Sequence, residues 1–365
     1  MALPLSKAFS ARAIATVWDN YQREIGSAPF LGRSLFGTRK MEGLTLKYIK
    51  GQHGLPVALK GAAFDAKAPL RDGIGISVIE NEMPFFRESY MVTEKEEQEY
   101  MRFANAENPA MARQILGEIM KSPTELILGA DVVPERMIWQ LIAPSDGIPR
   151  ILVTVDGGST YYIDYTTDAG VAWKTNHYSA ISTTADKWDA PTTATPLSDI
   201  AEFQESFRLA TGKVIGTICM NTATWAALCN ADDTKKQVQG ILAYQNGIRL
   251  NRSDVRQYIL DNFGIEVLVY DKVFKAENGT TTPFIPNGVI SCIAKGVTTL
   301  GAVTYGTTPE ERSGSLSIGN LALVNTGVAV YTYTTPHPVN THCVVSEIVL
   351  PSYEGMDDVA VMKVY

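Results

Sequence analysis

Cysteine is scarce and scattered in this 365-residue chain: Cys219, Cys229, Cys292 and Cys343 show neither CxxC spacing nor the density of a disulfide-stapled secreted fold. They read as buried, reduced thiols. Histidine is equally scarce, and none of His53, His177, His337 and His342 lies in a nucleophile elbow or a cysteine-protease motif. Nucleophilic catalysis therefore has no recognisable base. Long apolar runs are missing too, since one of the longest, residues 265–270, is interrupted by Glu266 and is far too short to cross a bilayer. Positive charge is in deficit, with 32 Lys and Arg against 39 Asp and Glu for a formal charge of -7. That balance argues against a dedicated nucleic-acid binder with a basic face, and leaves open contact with DNA as a neutral wall.

The motifs of cofactor chemistry are absent at the places where they would be needed. The turn after the strand-like residues 214–220 is Asn221-Thr222-Ala223-Thr224, without the glycines that let a backbone approach a pyrophosphate. Gly212-Lys213 superficially resembles a phosphate loop, yet Phe207 precedes it by five residues and Val214 follows the lysine. The one cluster of metal-ligand types runs from His337 through His342 to Cys343, has no second cluster to complete it, and reads as a surface loop. Asp232-Asp233, Glu310-Glu311 and Asp357-Asp358 are adjacent pairs, divergent in direction on a strand and better read as solvated surface. No catalytic, cofactor or metal residue is expected, and an enzyme is the minority reading. Asn251-Arg252-Ser253 and Asn278-Gly279-Thr280 match the glycosylation pattern only as chance would allow.

What is present is ordinary for a soluble globular protein, 45% apolar and 19% charged, in a chain long enough for two domains. The first eighteen residues carry Lys7 and Arg12 and no acid, but Asp19 and Glu24 soon follow within a helical pattern of Phe9, Ile14, Val17, Trp18 and Tyr21. With no apolar h-region, this reads as an amphipathic arm that packs on a neighbour rather than as a cleaved signal.

Residues 28–92 are the most informative stretch. They open on Ala28-Pro29-Phe30-Leu31-Gly32-Arg33-Ser34-Leu35-Phe36 and close on Glu82-Met83-Pro84-Phe85-Phe86-Arg87-Glu88-Ser89-Tyr90, with little for a core between. Residues 45–50 and 57–60 alternate apolar with polar, the period of a two-stranded ribbon turning near Gly51-Gln52-His53-Gly54. A lone ribbon is marginal in water, so it should be stabilised by another copy of the chain. Lys47, Lys50, Lys60 and Lys67 set against Leu46, Tyr48, Ile49, Val57 and Leu59 are the expected intersubunit contact residues.

Helix is expected over 93–143. Thr93 and Glu96 make a capping box, Asn108-Pro109 restarts the helix, Ser122-Pro123-Thr124-Glu125 repeats the cap, and Pro134 should kink or break the segment 135–142. Ile151, Val153 and Val155, the turn Gly157-Gly158, and Tyr161, Ile163 and Tyr165 spell a hairpin. Residues 166–196, rich in Thr, Asp, Ala and Pro, read as a linker and domain boundary. Beyond Pro196 the pattern alternates: a helix through Phe207 stopped by Gly212, a strand at 214–220, a short helix capped by Asn221, a helix capped by Ser253 and stopped by Gly264, and a strand at 265–270. A mixed sheet flanked by helices is expected there, with the C-terminal alternation at 344–364 returning to an earlier sheet.

This order of parts resembles the major capsid proteins of tailed phages, the Hong Kong 97-type fold, and within them the lambda major capsid protein E family. Pro29-Phe30-Leu31 with Leu35-Phe36 looks like the family's lead-in to its extension loop. Residues 83–88 with Thr93-Glu94-Lys95-Glu96 look like the exit into the spine helix. The segments 274–288 and 301–306, and Pro351-Ser352-Tyr353 before the alternation at 359–364, look like the family's later strands. The resemblance implies an α+β chain with an N-terminal arm (1–40), an extension loop (41–75), a peripheral domain (76–196 and 341–365) and an axial domain (197–340). It implies a virion structural protein, assembled in the host cytoplasm as hexamers and pentamers of an icosahedral head around double-stranded DNA. Scaffolding, portal and decoration proteins are its implied partners, with no membrane and no cofactor. An encapsulin-like compartment on the same fold and, more weakly, a nucleotide-binding α/β enzyme stay open on the sequence alone.

Overall fold

The computed structural model describes residues 9–25, 30–51, 76–105, 109–154, 160–166, 171–240, 247, 249–313 and 320–365. The chain divides into two compact units: 1–46 with 80–135 and 302–352, and 47–79 with 136–301 and 353–365. In this division residues 136–196 and 353–365 fall with 197–301, and residues 302–340, placed in the expected axial segment 197–340, fall with the first unit.

The first unit is a helix-covered antiparallel sheet whose central member is the twelve-residue strand Thr341–Ser352. Phe85–Val92 pairs along it from Thr341 opposite Val92 to Ile348 opposite Phe85. Val328–Thr334 and Gly301–Tyr305 also pair with it, and Asn320–Val324 and Phe36–Lys40 complete the order. Alternation sends Cys343 and Val345 toward the helices, where Val324, Val328 and Val330 join them. The helix Ala11–Ile25 closes this core with Ile14 and Trp18, and Phe9 ahead of it is also buried. Its apolar stripe therefore packs within its own subunit, contrary to the expected arm on a neighbour. The stripe had a partner in the same chain that periodicity does not reveal.

Residues 109–142 form one continuous helix with Pro123 and Pro134 inside it, where breaks were expected. Each interior proline costs about 3 kcal/mol or more. Full burial of Ile127, Met137, Ile138, Leu141 and Ile142 contributes about 1.5–3 kcal/mol apiece, so packing outweighs the two breaks. The Thr93–Glu96 capping box is formed: Glu96 Oε2 accepts from Thr93 N at 2.8 Å, and Thr93 Oγ1 accepts from Glu96 N at 3.4 Å. Asn108 lies outside the described residues.

The second unit holds a five-stranded mixed sheet in the order Tyr178–Ala180, Val359–Lys363, Val289–Ala294, Ile215–Met220, Glu266–Val269, with parallel outer pairs and antiparallel inner ones. Helices Pro196–Thr211, Thr222–Asn230 and Arg252–Phe263 pack their apolar faces on it. Gly212 and Gly264 end two of them in left-handed conformation, at φ 77° and 68°. Asn221 caps as expected, accepting from Thr224 N at 2.8 Å, whereas the last helix is capped by Asn251 rather than Ser253. The hairpin is present as Arg150–Thr154 against Thr160–Asp164, with Ile151 opposite Ile163; Val155 and the turn Gly157-Gly158 lie outside the described residues.

The expected linker at 166–196 instead contributes to this core. Val171–His177 is a helix, Trp173 and Trp188 are buried, and their indole nitrogens donate to Met356 O at 3.0 Å and Asp199 Oδ2 at 2.8 Å. Polar composition hid two tryptophan anchors.

Candidate assembly surface

The ribbon is fixed at its base by side chains that belong to no sequence motif. Ahead of it, the carboxylate of Glu135 accepts from the backbone N–H groups of Gly32 at 2.9 Å and Arg33 at 3.1 Å. The Arg33 guanidinium donates to Asp131 O at 2.7 Å and Asp131 Oδ1 at 3.0 Å. Burial pushes the Asp131 carboxyl up, and Arg33 pulls it back down. Phe36–Lys40 then pairs into the first sheet, with Arg39 Nε donating to Thr304 Oγ1 at 2.7 Å and Met41 N donating to Tyr305 O at 2.8 Å. On the return side Met83 N donates to Leu44 O at 2.7 Å, and Phe85–Val92 enters the same sheet. The sequence offered only the apolar anchors here. Arg33, Asp131 and Glu135, about a hundred residues apart, were not legible because tertiary structure alone joins them.

Between those anchors Thr45–Gly51 pairs with Ile76–Glu82 as a two-stranded sheet. The expected partner strand at 57–60 and turn at 51–54 fall largely outside the described residues, as do Val57, Leu59, Lys60 and Lys67. Ile49 and Lys50 lie on the first strand, with side chains outside the description. Leu46 is 1% exposed and Tyr48 5%, and the Tyr48 ring lies 6.3 Å from that of Tyr165. These two were expected to touch a neighbour and are instead buried in their own chain, since the strand's inner face found a partner there. Lys47, between them, points out.

Apolar surface remains open on the first unit. A groove of about 710 Å³ runs between the N-terminal helix and the long helix, lined by Val17, Tyr21, Leu116, Met120 and Leu128 among others. On the outer sheet face Tyr331, Tyr333 and His342 stack in a row, with centroids 5.7 and 4.8 Å apart, and exposed Met91 sits opposite His342. His342 and Cys343, read from the sequence as part of a surface loop, instead lie on the strand Thr341–Ser352 and point to opposite faces of it. Among the described residues no group of three or more His, Cys, Asp or Glu could hold a metal ion. The turn after Met220 is filled by its own cap, Asn221 donating to Ile285 O at 3.1 Å. No helix among the described residues is long and apolar enough to cross a membrane.

An extended two-stranded ribbon, a sheet-and-long-helix unit and a mixed-sheet unit together are the parts of the Hong Kong 97-type capsid fold. A putative capsid protein of a prophage of Escherichia coli CFT073 is similar over 100% of both chains, at 12% identity and a TM-score of 0.52. A phage-related protein from Bordetella bronchiseptica RB50 gives 11% identity, coverage of 95% and 96%, and a TM-score of 0.47. The capsid asymmetric unit of cyanophage A-1(L) gives 11%, 92% of each chain, and 0.47. No curated protein matches. The family model of phage major capsid protein E matches residues 10–351, and the chain belongs to that family. It is a phage capsid protein, a virion component with a structural role.

Proposed function

We propose that copies of this chain self-assemble, as hexamers and pentamers, into an icosahedral head that encloses a double-stranded DNA genome. The observation that carries this reading is the ribbon: both its ends are fixed in the first unit, while between them Lys47 faces outward. The groove and the aromatic row add exposed apolar surface of the kind that marks protein interfaces. Symmetric shells need large repeated interfaces, and extended segments laid on neighbours supply them.

In this reading residues 1–40 are the N-terminal arm, 41–75 the extension loop, 76–196 with 341–365 the peripheral domain, and 197–340 the axial domain. Lys47, Lys50, Lys60 and Lys67 with Ile49, Val57 and Leu59 meet the adjoining subunit. A net charge of -7 suits a wall that encloses DNA without clamping its phosphates. Assembly takes place in the host cytoplasm, with a scaffolding protein, a portal and a decoration protein as partners.

The test replaces residues 52–75 by a short Gly/Ser linker, keeping Leu46 and Tyr48 in place. Circular dichroism and sedimentation velocity on the same sample should show a folded subunit with a near-normal melting transition and no shells, while the unaltered chain forms shells under negative-stain electron microscopy. Shells from the linker variant would mean the ribbon is dispensable.

A further inference from the structure

The strand Phe85–Val92 takes part in the first sheet along one side only. Its ladder partner is Thr341–Ser352, in register from Val92 opposite Thr341 to Phe85 opposite Ile348, and no other described strand pairs with it. Val349 N donates to Pro84 O at 3.4 Å at the end of that register, and in an antiparallel pair the bonded positions alternate. Phe86, Glu88, Tyr90 and Val92 therefore turn their N–H and C=O groups toward Thr341–Ser352, while Phe85, Arg87, Ser89 and Met91 turn theirs to the opposite edge. No hydrogen bond among the described residues engages the backbone groups of that edge.

Such an edge is a template for another strand, and soluble proteins blunt theirs with short strands, prolines, bulges or exposed lysines. This one has none of these. It is eight residues long, whereas Phe36–Lys40 and Asn320–Val324, at the two ends of the sheet order, have five each. Its one basic side chain, Arg87, is turned onto its own subunit, with Nη1 2.9 Å from Glu310 Oε1 and the guanidinium 4.9 Å over the Phe85 ring. Phe85 and Met91, toward its two ends, are 39% and 41% exposed. Two residues ahead of Phe85 the same alternation finds a partner, since Met83 N donates to Leu44 O at 2.7 Å at the base of the ribbon.

We propose that the free edge of Phe85–Val92 pairs with a strand of a second copy of this chain, so that the first sheet continues from one subunit into the next. This rests on the self-assembly proposed above and names one contact within it. The edge is present in every subunit, so covering it takes one strand per subunit, a ratio that copies of the same chain supply. It also continues the edge on which the ribbon, the proposed intersubunit element, is seated through Leu44 and Met83. An added strand gains main-chain hydrogen bonds from Arg87, Ser89 and Met91 and lies beside the exposed Phe85 and Met91 side chains, which supply the cross-strand packing.

Hydrogen exchange read at single amides, on the full chain as isolated subunits and as assembled shells, tests this. In the isolated subunit the amides of Phe86, Glu88 and Tyr90 should be slow and those of Arg87, Ser89 and Met91 fast; on assembly the second set should slow by about a hundredfold. Ser89→Pro removes only an N–H of the free edge, a place where a strand accepts proline. It should fold with a near-unchanged melting transition and form no shells, while Ser89→Ala assembles. Edge amides already slow in the isolated subunit would mean that the chain covers its own edge, and edge amides still fast in shells would mean that the copies meet elsewhere. Either result overturns the pairing without touching self-assembly, and both are read on the unaltered chain even if Ser89→Pro does not fold. Shells from a folded Ser89→Pro would overturn it too, and subunits that never associate would overturn both readings.

Discussion

Replacing Trp18 by alanine asks directly whether the N-terminal helix belongs to its own subunit. Trp18 is 2% exposed, its ring stacks on Tyr21 at 5.8 Å, and its indole nitrogen reaches Asn325 at 3.4 Å. Around it lie Phe9 and Ile14 from the same end of the chain and Val324, Val328 and Val330 from the sheet. Truncating a buried tryptophan costs about 3–5 kcal/mol, since the transfer energy is lost and a cavity is left. At about 2–4 °C per kcal/mol for a unit of this size, the melting temperature should fall by roughly 6–20 °C. Val17, one residue earlier, is 36% exposed at the rim of the groove, and Val17→Ala should stay within about 0.5 kcal/mol. Both variants are to be melted by circular dichroism under conditions where sedimentation velocity shows single subunits. Should Trp18→Ala melt with the unaltered chain in the isolated subunit, the helix is not part of this core, and its apolar stripe has to be assigned to a neighbouring copy.

Three further outcomes are expected. His177 stacks on Trp173 at 5.1 Å, and burial lowers its pKa; the neutral ring is the folded form, so stability is full above its unfolded pKa of about 6.5 and is lost as pH falls below it. The urea midpoint should drop between pH 7.5 and 5.5 more steeply in the unaltered chain than in His177→Phe, and equal slopes would refute the assignment. All four cysteines are free and buried, with burial pushing Cys229 up to about 11 and Cys219 and Cys343 up to about 12; thiol reagent at pH 8 should count none in the native protein and four in denaturant. Asn221→Ala removes a cap and leaves the buried Ile285 carbonyl without its donor, so it should cost about 2–4 kcal/mol, read as a shift of the urea midpoint at unchanged slope.

Local rules made much of the chain legible. The Thr93–Glu96 capping box, the Gly212 and Gly264 stops, the hairpin through Ile151 and Ile163, and the alternation of Val359 and Val361 each depend on neighbours a few residues away, and each stands where the sequence places it. The order of these parts, with the apolar anchors at Phe36 and Met83, carried the resemblance to a capsid family, and the family match agrees with it. Long-range partners decided the rest. Pro123 and Pro134 stay inside a helix because burial outweighs their local cost. Trp173 and Trp188 turn a polar stretch into core. Leu46 and Tyr48 lie inward although their alternation only established that one face of the strand is apolar. Alternation fixes which residues share a face, but only the folded chain determines what that face meets. For the same reason Arg33, Asp131 and Glu135 read as three unrelated charges in the sequence and are joined only when the long helix meets the base of the ribbon.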